Sequence, residues 1–459
     1  MPDALSVEEL NESDTRSGYR TFLIVWLGQV ISIVGSGLTW FGISIWVFLE
    51  SGSVTQLAIV LLASQLPRIV LSPVAGTFVD RWDRRWAMIL SDAGAGLGTL
   101  VMVGFYLSGN LTIPVLAVIA AFSGAFQAFQ YPAYQAATTL LVPKERYSRA
   151  AGMVQMAEAI GNLVAPALGG IMVAVGGLGL LIAIDVVTFT FAIGTLLFVR
   201  FPRPEVSEAG AQSKGTVWQE TKFGFTYISA RKGLLFLLFY FTGINFAFGG
   251  IMPLVTAYLL SITDEATMGL VFSLGSTGML VGAVLASTWK GMNNKVLGIV
   301  WMGGVLGAMM ALVGAVPSLP VIVLGFWGAM FVLPLGGAFS QAIWMAKVEP
   351  DVQGRVFAVR SAVASAAVPI SLLLVGPIAD RLFVPLMTGD SSFGTWLQSI
   401  FGSGNTAAFG LFFFLAGLSV VAMSVVAWMI GPIRHVERDI PDAMGLPTEG
   451  GVVPDAAPA

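Results

Sequence analysis

Gly76-Thr77-Phe78-Val79-Asp80-Arg81-Trp82-Asp83-Arg84-Arg85 crowds charge between two long apolar stretches, Val54–Val79 before it and Trp86–Leu107 after it. Each flanking stretch is long enough to cross about 30 Å of hydrocarbon as a helix. The decapeptide therefore reads as a short loop at a membrane surface. Working outward, the same alternation continues along the chain, with about twelve apolar runs separated by short polar loops. Basic residues occupy the N-terminal tail, every second loop and the tail after the last apolar run. Of the 23 Lys and Arg residues, all but Arg68 and Arg381 fall in these segments, which lie on one side of the membrane. Lys and Arg are disfavoured in translocated short loops, so this side is expected to be cytoplasmic, with both termini there.

Composition agrees with a polytopic protein. Hydrophobic residues make up 56% of the 459-residue chain and charged residues 11%, too few to cover a water-soluble globule of that size. No cleavable signal peptide is expected, because the first apolar run, from Phe22, is too long for one. Zero cysteines exclude disulfides, thiolate metal sites and Cys nucleophiles. A single histidine, His435, lies beyond the last run, which excludes a multi-His metal centre or a Ser-His triad within the membrane. No phosphate-binding glycine loop or nucleophile elbow is present, so neither an enzyme nor a nucleotide-driven pump is expected. Nor is a nucleic-acid partner or a cofactor.

The fold expected is all-α, with twelve transmembrane helices in two pseudo-symmetric six-helix bundles. Its parts are a tail (residues 1–20), a first bundle (21–200), a linker (201–232), a second bundle (233–431) and a C-terminal tail (432–459). Within the linker Trp218, Thr221, Phe225 and Ile228 share one helical face, which predicts an amphipathic helix along the membrane surface. Phe393, Trp396, Leu397, Ile400 and Phe401 predict a second one on the opposite side. The halves look like repeats. The loop Val142-Pro143-Lys144-Glu145-Arg146-Tyr147-Ser148-Arg149 and the loop Val348-Glu349-Pro350-Asp351-Val352-Gln353-Gly354-Arg355 share a Pro, a polar run and an Arg. Repeated halves with a substrate path between them are a common plan of secondary transporters.

The Gly76–Arg85 decapeptide resembles the G-x-x-x-D-R-x-G-R-R/K signature of the major facilitator superfamily, with Asp83 where that pattern has Gly. On that resemblance these residues form a gating motif: Gly76 lets a neighbouring helix approach closely, and Asp80, Arg81, Arg84 and Arg85 form a charge network, which Asp92 is placed to join. Pro350–Phe357, Gly376–Phe383 and Phe401–Gly404 are similar to segments of the drug:proton antiporter-3 branch, typified by macrolide efflux proteins. Gly161-Asn162-Leu163-Val164-Ala165-Pro166-Ala167-Leu168-Gly169-Gly170 is similar to the antiporter motif of twelve-helix exporters, with Ala165 replacing a Gly. The resemblance implies that helices 1, 4, 7 and 10 line a central cavity.

Polar stripes mark candidate walls for that cavity. Helix 4 places Gln127, Gln130, Tyr131 and Tyr134 along one face, which would be costly against lipid. Helix 1 offers Gln29, Ser32, Ser36 and Thr39. Helix 7 adds Phe241, Asn245, Phe248 and Met252, and helix 10 adds Trp327 and Met330. Soft aromatic walls suit a small hydrophobic or amphiphilic substrate. The competing reading of the polar stripes is hydrogen-bonded helix packing.

Intramembrane charges are usually functional. Arg68 lies about 18 Å of helix from Asp80, near mid-membrane. It could hold an anionic substrate group or act as a counter-charge. Glu158, on a face with Gln155 and Asn162, is the expected proton carrier. Asp185 joins it as a candidate, although a structural hydrogen bond on peripheral helix 6 is the alternative. The function expected is export of hydrophobic or amphiphilic compounds by a proton-coupled monomer in a bacterial-type plasma membrane. A dedicated siderophore or lysolipid transporter is the alternative within transport, and a non-transporting receptor or scaffold the alternative outside it.

Overall fold

The computed structural model describes residues 7–143, 146–199, 201, 217–350 and 352–443. Every regular element among the described residues is helical. In chain order they are α1 (Val7–Ser51), α2 (Val54–Arg81), α3 (Arg84–Leu107), α4 (Ile113–Leu141), α5 (Tyr147–Phe198), α6 (Val217–Ala230), α7 (Lys232–Gly249) and α8 (Ile251–Leu260). The second half continues with α9 (Glu265–Thr288), α10 (Lys295–Ala315), α11 (Leu319–Lys347) and α12 (Gln353–Ile378). A π-helical turn (Ala379–Phe383) leads into α13 (Val384–Thr388), then α14 (Ser392–Phe401), α15 (Asn405–Met429), α16 (Gly431–Arg434) and α17 (Val436–Asp439).

Eleven described helices are long and apolar enough to cross a membrane. One of them, Arg149–Phe198, has 50 residues. At 1.5 Å per residue that is about 75 Å, nearly twice the thickness of a bilayer with its headgroups. Gly177, at φ 63 and ψ −169, breaks it. The left-handed φ is open to glycine without a Cβ penalty, so the chain turns back there and α5 supplies crossings five and six. That makes twelve crossings, six on each side of the linker. Crossing seven is α7 and α8 joined at Gly250, and crossing eleven is α12 extended through the π-turn.

The repeat is visible in detail. α4 and α11 are both 29 residues long, both begin with Pro in the first turn, and both carry an internal Pro, Pro132 and Pro334. Within the first half, α1 lies along α5 on a glycine seam. A Cβ at Gly28, Gly35 or Gly42 would run into Thr195, Thr188 or Leu181 respectively. Small residues permit that backbone approach, which in lipid replaces the hydrophobic drive that packs soluble helices.

We refer to the end of the bundle carrying α6 and the Lys- and Arg-rich loops as the basic end, and to the other as the neutral end. The hydrogen bonds between described residues of the two halves lie in the neutral half of the molecule. Ser273 Oγ donates to the Leu163 carbonyl at 2.6 Å and Ser276 Oγ to that of Asn162 at 3.2 Å. A Cβ on Gly170 would strike the Glu265 carbonyl, and one on Gly269 the Pro166 carbonyl. The Gly161–Gly170 motif is thus the seam of α5 against α9. Asp380, on the π-turn, makes the second junction. Its carboxylate accepts from Ser53 Oγ at 2.7 Å, Thr55 N at 2.9 Å and Val54 N at 3.2 Å. It therefore caps the N-terminus of α2 from the opposite half, satisfying amides that a helix start leaves unpaired.

The expected surface helix is α6, and its contacts are specific. Gly224 and Ile228 are buried, Gly224 facing the Arg355 backbone and Val359 of α12. Tyr227 Oη donates to the Glu349 carboxylate, and Arg231 reaches the same carboxylate at 3.5 Å while stacking on the Tyr227 ring at 3.6 Å. The linker helix is clamped to the second half. On the neutral end α14 exposes Phe393, Trp396 and Ile400 and buries Leu397, as the spacing predicts.

Candidate functional site

Asp83 explains how the loop after α2 turns without the expected Gly. It is the N-cap of α3, and its carboxylate accepts from the amides of Arg85 (3.0 Å) and Trp86 (3.2 Å). Arg85 in turn donates Nε to the Leu196 carbonyl at 2.7 Å and Nη2 to that of Leu197 at 2.6 Å. A cation there satisfies carbonyls at the negative end of the α5 dipole. Arg84 opens α3. The side chains of Gly76, Asp80 and Arg81 lie outside the described set, so their network is left as a proposal.

The first half encloses a cavity of about 540 Å³. Its wall brings together Gln29 and Ser36 of α1, Arg68 of α2, Asp92 of α3, Gln127, Gln130 and Tyr131 of α4, and Glu158 and Asp185 of α5. Ser32 and Thr39 of α1 line it too, so eleven of the residues singled out from the sequence share one chamber. Asp92 was expected in the surface charge network. The structure instead puts it in the wall, buried, accepting from Gln29 Nε2 at 3.0 Å. Gln130 Nε2 donates to Gln29 Oε1, completing a chain across α4, α1 and α3. Asp185 accepts from Ser36 Oγ at 3.1 Å and Thr99 Oγ1 at 2.8 Å. The structure thus supplies its hydrogen bonds and also sets it beside the chamber. Glu158 and Arg68 are exposed on the same wall.

The chamber therefore has two kinds of carboxylate. Asp92 and Asp185 are buried and held by neutral donors that satisfy their oxygens. Glu158 is open to the cavity. Tyr134, on the next turn of the α4 stripe, is buried behind it, with no hydroxyl partner among the described residues. No group of three or more potential metal ligands occurs among the described residues.

The second half does not complete this wall as the single-cavity expectation had it. Phe248 sits in a separate apolar cleft with Ile251, Tyr258 and Phe326. Trp327 donates Nε1 to Thr277 Oγ1 at 3.1 Å and stacks on Phe331 with centroids 5.2 Å apart. Asn245 donates to the Ala364 carbonyl at 3.2 Å and lines another cavity of about 410 Å³, with Gln341, Trp344 and Arg360. Asn245 and Phe248 of α7 and Trp327 of α11 thus do not share one wall. Arg360 belongs with Asn245 although its sequence position reads as a loop cation: α12 begins at Gln353, so Arg360 lies about 10 Å along it.

Two six-span halves, joined near one end and holding a polar cavity at membrane depth, define a membrane transporter rather than an enzyme. The comparison with known families agrees. The model of the Major Facilitator Superfamily matches residues 25–372, most of the chain, and the chain belongs to that family. Over 424 residues it is 27% identical to macrolide efflux protein A of Streptococcus pyogenes, covering 91% of this chain and 97% of that one. It is 24% identical to the multidrug efflux pump Tap of Mycolicibacterium fortuitum, covering 78% and 89%. Among solved structures, a bacterial homolog of the human lysosomal transporter Spinster, in an inward-facing and unoccupied conformation, superposes with a TM-score of 0.65 at 12% identity. That match covers 89% of this chain and 95% of the other, and it shows the fold.

Proposed function

We propose that this chain is a proton-coupled exporter of hydrophobic or amphiphilic compounds, working as a monomer by alternating access in a bacterial plasma membrane. The basic end is cytoplasmic, so both termini lie inside and the structure is the state open to the cytoplasm. The reading rests above all on one observation. A membrane-level chamber holds an exposed carboxylate, Glu158, beside two buried ones, Asp92 and Asp185, and the cation Arg68. The efflux names of relatives similar over most of this chain support the direction of transport.

In this mechanism Glu158 carries the proton to and from whichever side the chamber faces, with Arg68 on the same wall. Asp92 and Asp185 tie α1 to α3 and α5, so a change of protonation is felt as a change in helix packing. Cargo enters from the cytoplasmic leaflet or water between Gln127, Gln130 and Tyr131. Coupling requires only that the proton and the cargo favour different states. The charge cluster Gly76–Arg85 closes the basic end in the opposite state, when the seam of α5 on α9 and the Asp380 cap have opened.

Whole-cell efflux tests the reading. Cells preloaded with a lipophilic fluorescent dye and producing this protein should lose dye faster than control cells. A protonophore should abolish the difference, as should Glu158→Gln. Loss of dye at the control rate, or loss indifferent to the protonophore, would remove the proposal.

A further inference from the structure

The second half carries a cavity whose chemistry is opposite to that of the first. Its volume is about 410 Å³, within the range of small-ligand pockets. The polar residues on its wall include Asn245, Gln341 and Arg360, and Phe241 and Phe357 supply apolar surface. Arg360 is half-buried and donates to neutral groups, Nη1 to Gln341 Oε1 at 2.9 Å and Nη2 to Ser340 Oγ at 3.0 Å. Its guanidinium rests 4.9 Å from the centroid of the Trp344 ring. Among the described residues no carboxylate pairs with it, and no Asp or Glu lines the cavity.

The surroundings are rich in donors as well. Arg has no acceptor, so the hydrogen bond to Gln341 fixes that amide with its oxygen toward Arg360 and its NH₂ turned away. Trp344 is 0% exposed, and its Nε1–H has no acceptor among the described residues. The cavity therefore holds a guanidinium without a matching anion among the described residues. A half-buried cation without an anion is expensive, and an anionic ligand relieves that cost.

We propose that this second cavity binds the anionic headgroup, carboxylate or phosphate, of an amphiphile, with Arg360 as its principal contact. The apolar part of the ligand lies along Phe241 and Phe357. This deepens the export reading by naming a cargo class, and it rests on that reading only for the claim that the bound amphiphile is transported.

The test is equilibrium binding to the full-length protein in nanodiscs of zwitterionic lipid, with empty nanodiscs subtracted. The probes share a twelve-carbon chain and differ in head: dodecanoate, dodecyl phosphate, dodecanol and dodecyltrimethylammonium. Saturable binding is expected for at least one of the two anions, and the tighter of them tells carboxylate from phosphate. The neutral and cationic probes should compete at least tenfold less well. Arg360→Gln should weaken anion binding at least tenfold. Arg360→Lys, which keeps the charge, should weaken it less than Arg360→Gln does, with thermal melting recorded for both variants. Should Arg360→Gln misfold, equal competition by all four heads would still overturn the proposal. So would unchanged binding in a folded Arg360→Gln. A wild-type protein that binds dodecyl phosphate but does not export dye would count against the transport reading alone.

Discussion

Removing the Asp380 carboxylate should shift the balance between the two states of the transporter. Asp380→Ala deletes three hydrogen bonds, at 2.7, 2.9 and 3.2 Å, that cross from one half to the first turn of α2 in the other. Hydrogen bonds to a charged group are worth about 1.5–3 kcal/mol each when made inside a protein. Water recovers much of this when the neutral end opens, so the net loss falls at about 2–4 kcal/mol. At about 1.4 kcal/mol per factor of ten, that favours the state with the neutral end open by about 30- to 700-fold. Asp380→Asn keeps an acceptor but loses the charge that complements the helix dipole, and should shift the balance about 5- to 30-fold. The chain has no cysteine, so spin labels can be placed at Asn110→Cys and Ser399→Cys, one on each half at the neutral end, without a background. Double electron–electron resonance should then show the longer-distance population growing in the order wild type, Asp380→Asn, Asp380→Ala. Distance distributions that coincide in all three would refute the assignment of Asp380 as the neutral-end latch.

Other expectations follow from the same contacts. Gly269→Leu places a side chain against the Pro166 carbonyl and should hold the neutral end open, read as lengthening of the same label pair. A cysteine at Gln127 should react with an impermeant thiol reagent from the face bearing the basic loops, and Asp380→Ala should add reaction from the other face. Arg85→Ala removes the donors to Leu196 and Leu197 and should cost about 1–3 kcal/mol, seen as a lower melting temperature. At the linker, the Tyr227 hydroxyl holds the Glu349 carboxyl below its usual range, while burial and that carboxylate push the Tyr227 hydroxyl up to about 12. A depressed carboxyl contributes stability above its unfolded pKa, and the contribution is lost as pH falls through the folded value. A raised phenol contributes below its unfolded pKa, and its share is lost as pH rises through about 12. Docking of α6 should thus loosen below about pH 4, followed by hydrogen exchange of α6, and Tyr227→Phe should flatten that dependence.

Much of this architecture is legible in the residues, because hydropathy and loop charge are one-dimensional signals. The charged turn at Asp80–Arg85, the linker prolines and the matching loops after α4 and α11 mark the halves without coordinates. The polar stripe Gln127–Gln130–Tyr131 is also readable, since polar side chains in hydrocarbon must face protein or water. What a single sequence does not carry is which helix each stripe meets. Asp92 lies at a depth that suits the gating loop, yet it bonds to Gln29 because α3 turns that face toward α1. Asn245, Phe248 and Trp327 share the expected helices but meet three different surroundings. Arg360 was hidden by loop counting, although Pro350 and Asp351 before it mark where a new helix can start. The glycines at 28, 35 and 42, spaced by seven, were a readable sign of the α1 seam that the polar stripes obscured.

Transport by the purified protein in liposomes, under an imposed pH gradient, is the most direct test of the account. With the cytoplasmic face exposed and the lumen made acidic, dye should accumulate inside well above protein-free liposomes. Accumulation should collapse when the gradient is dissipated, and Glu158→Gln should fall to the background. Equal accumulation with and without the gradient, or full activity in Glu158→Gln, would contradict it.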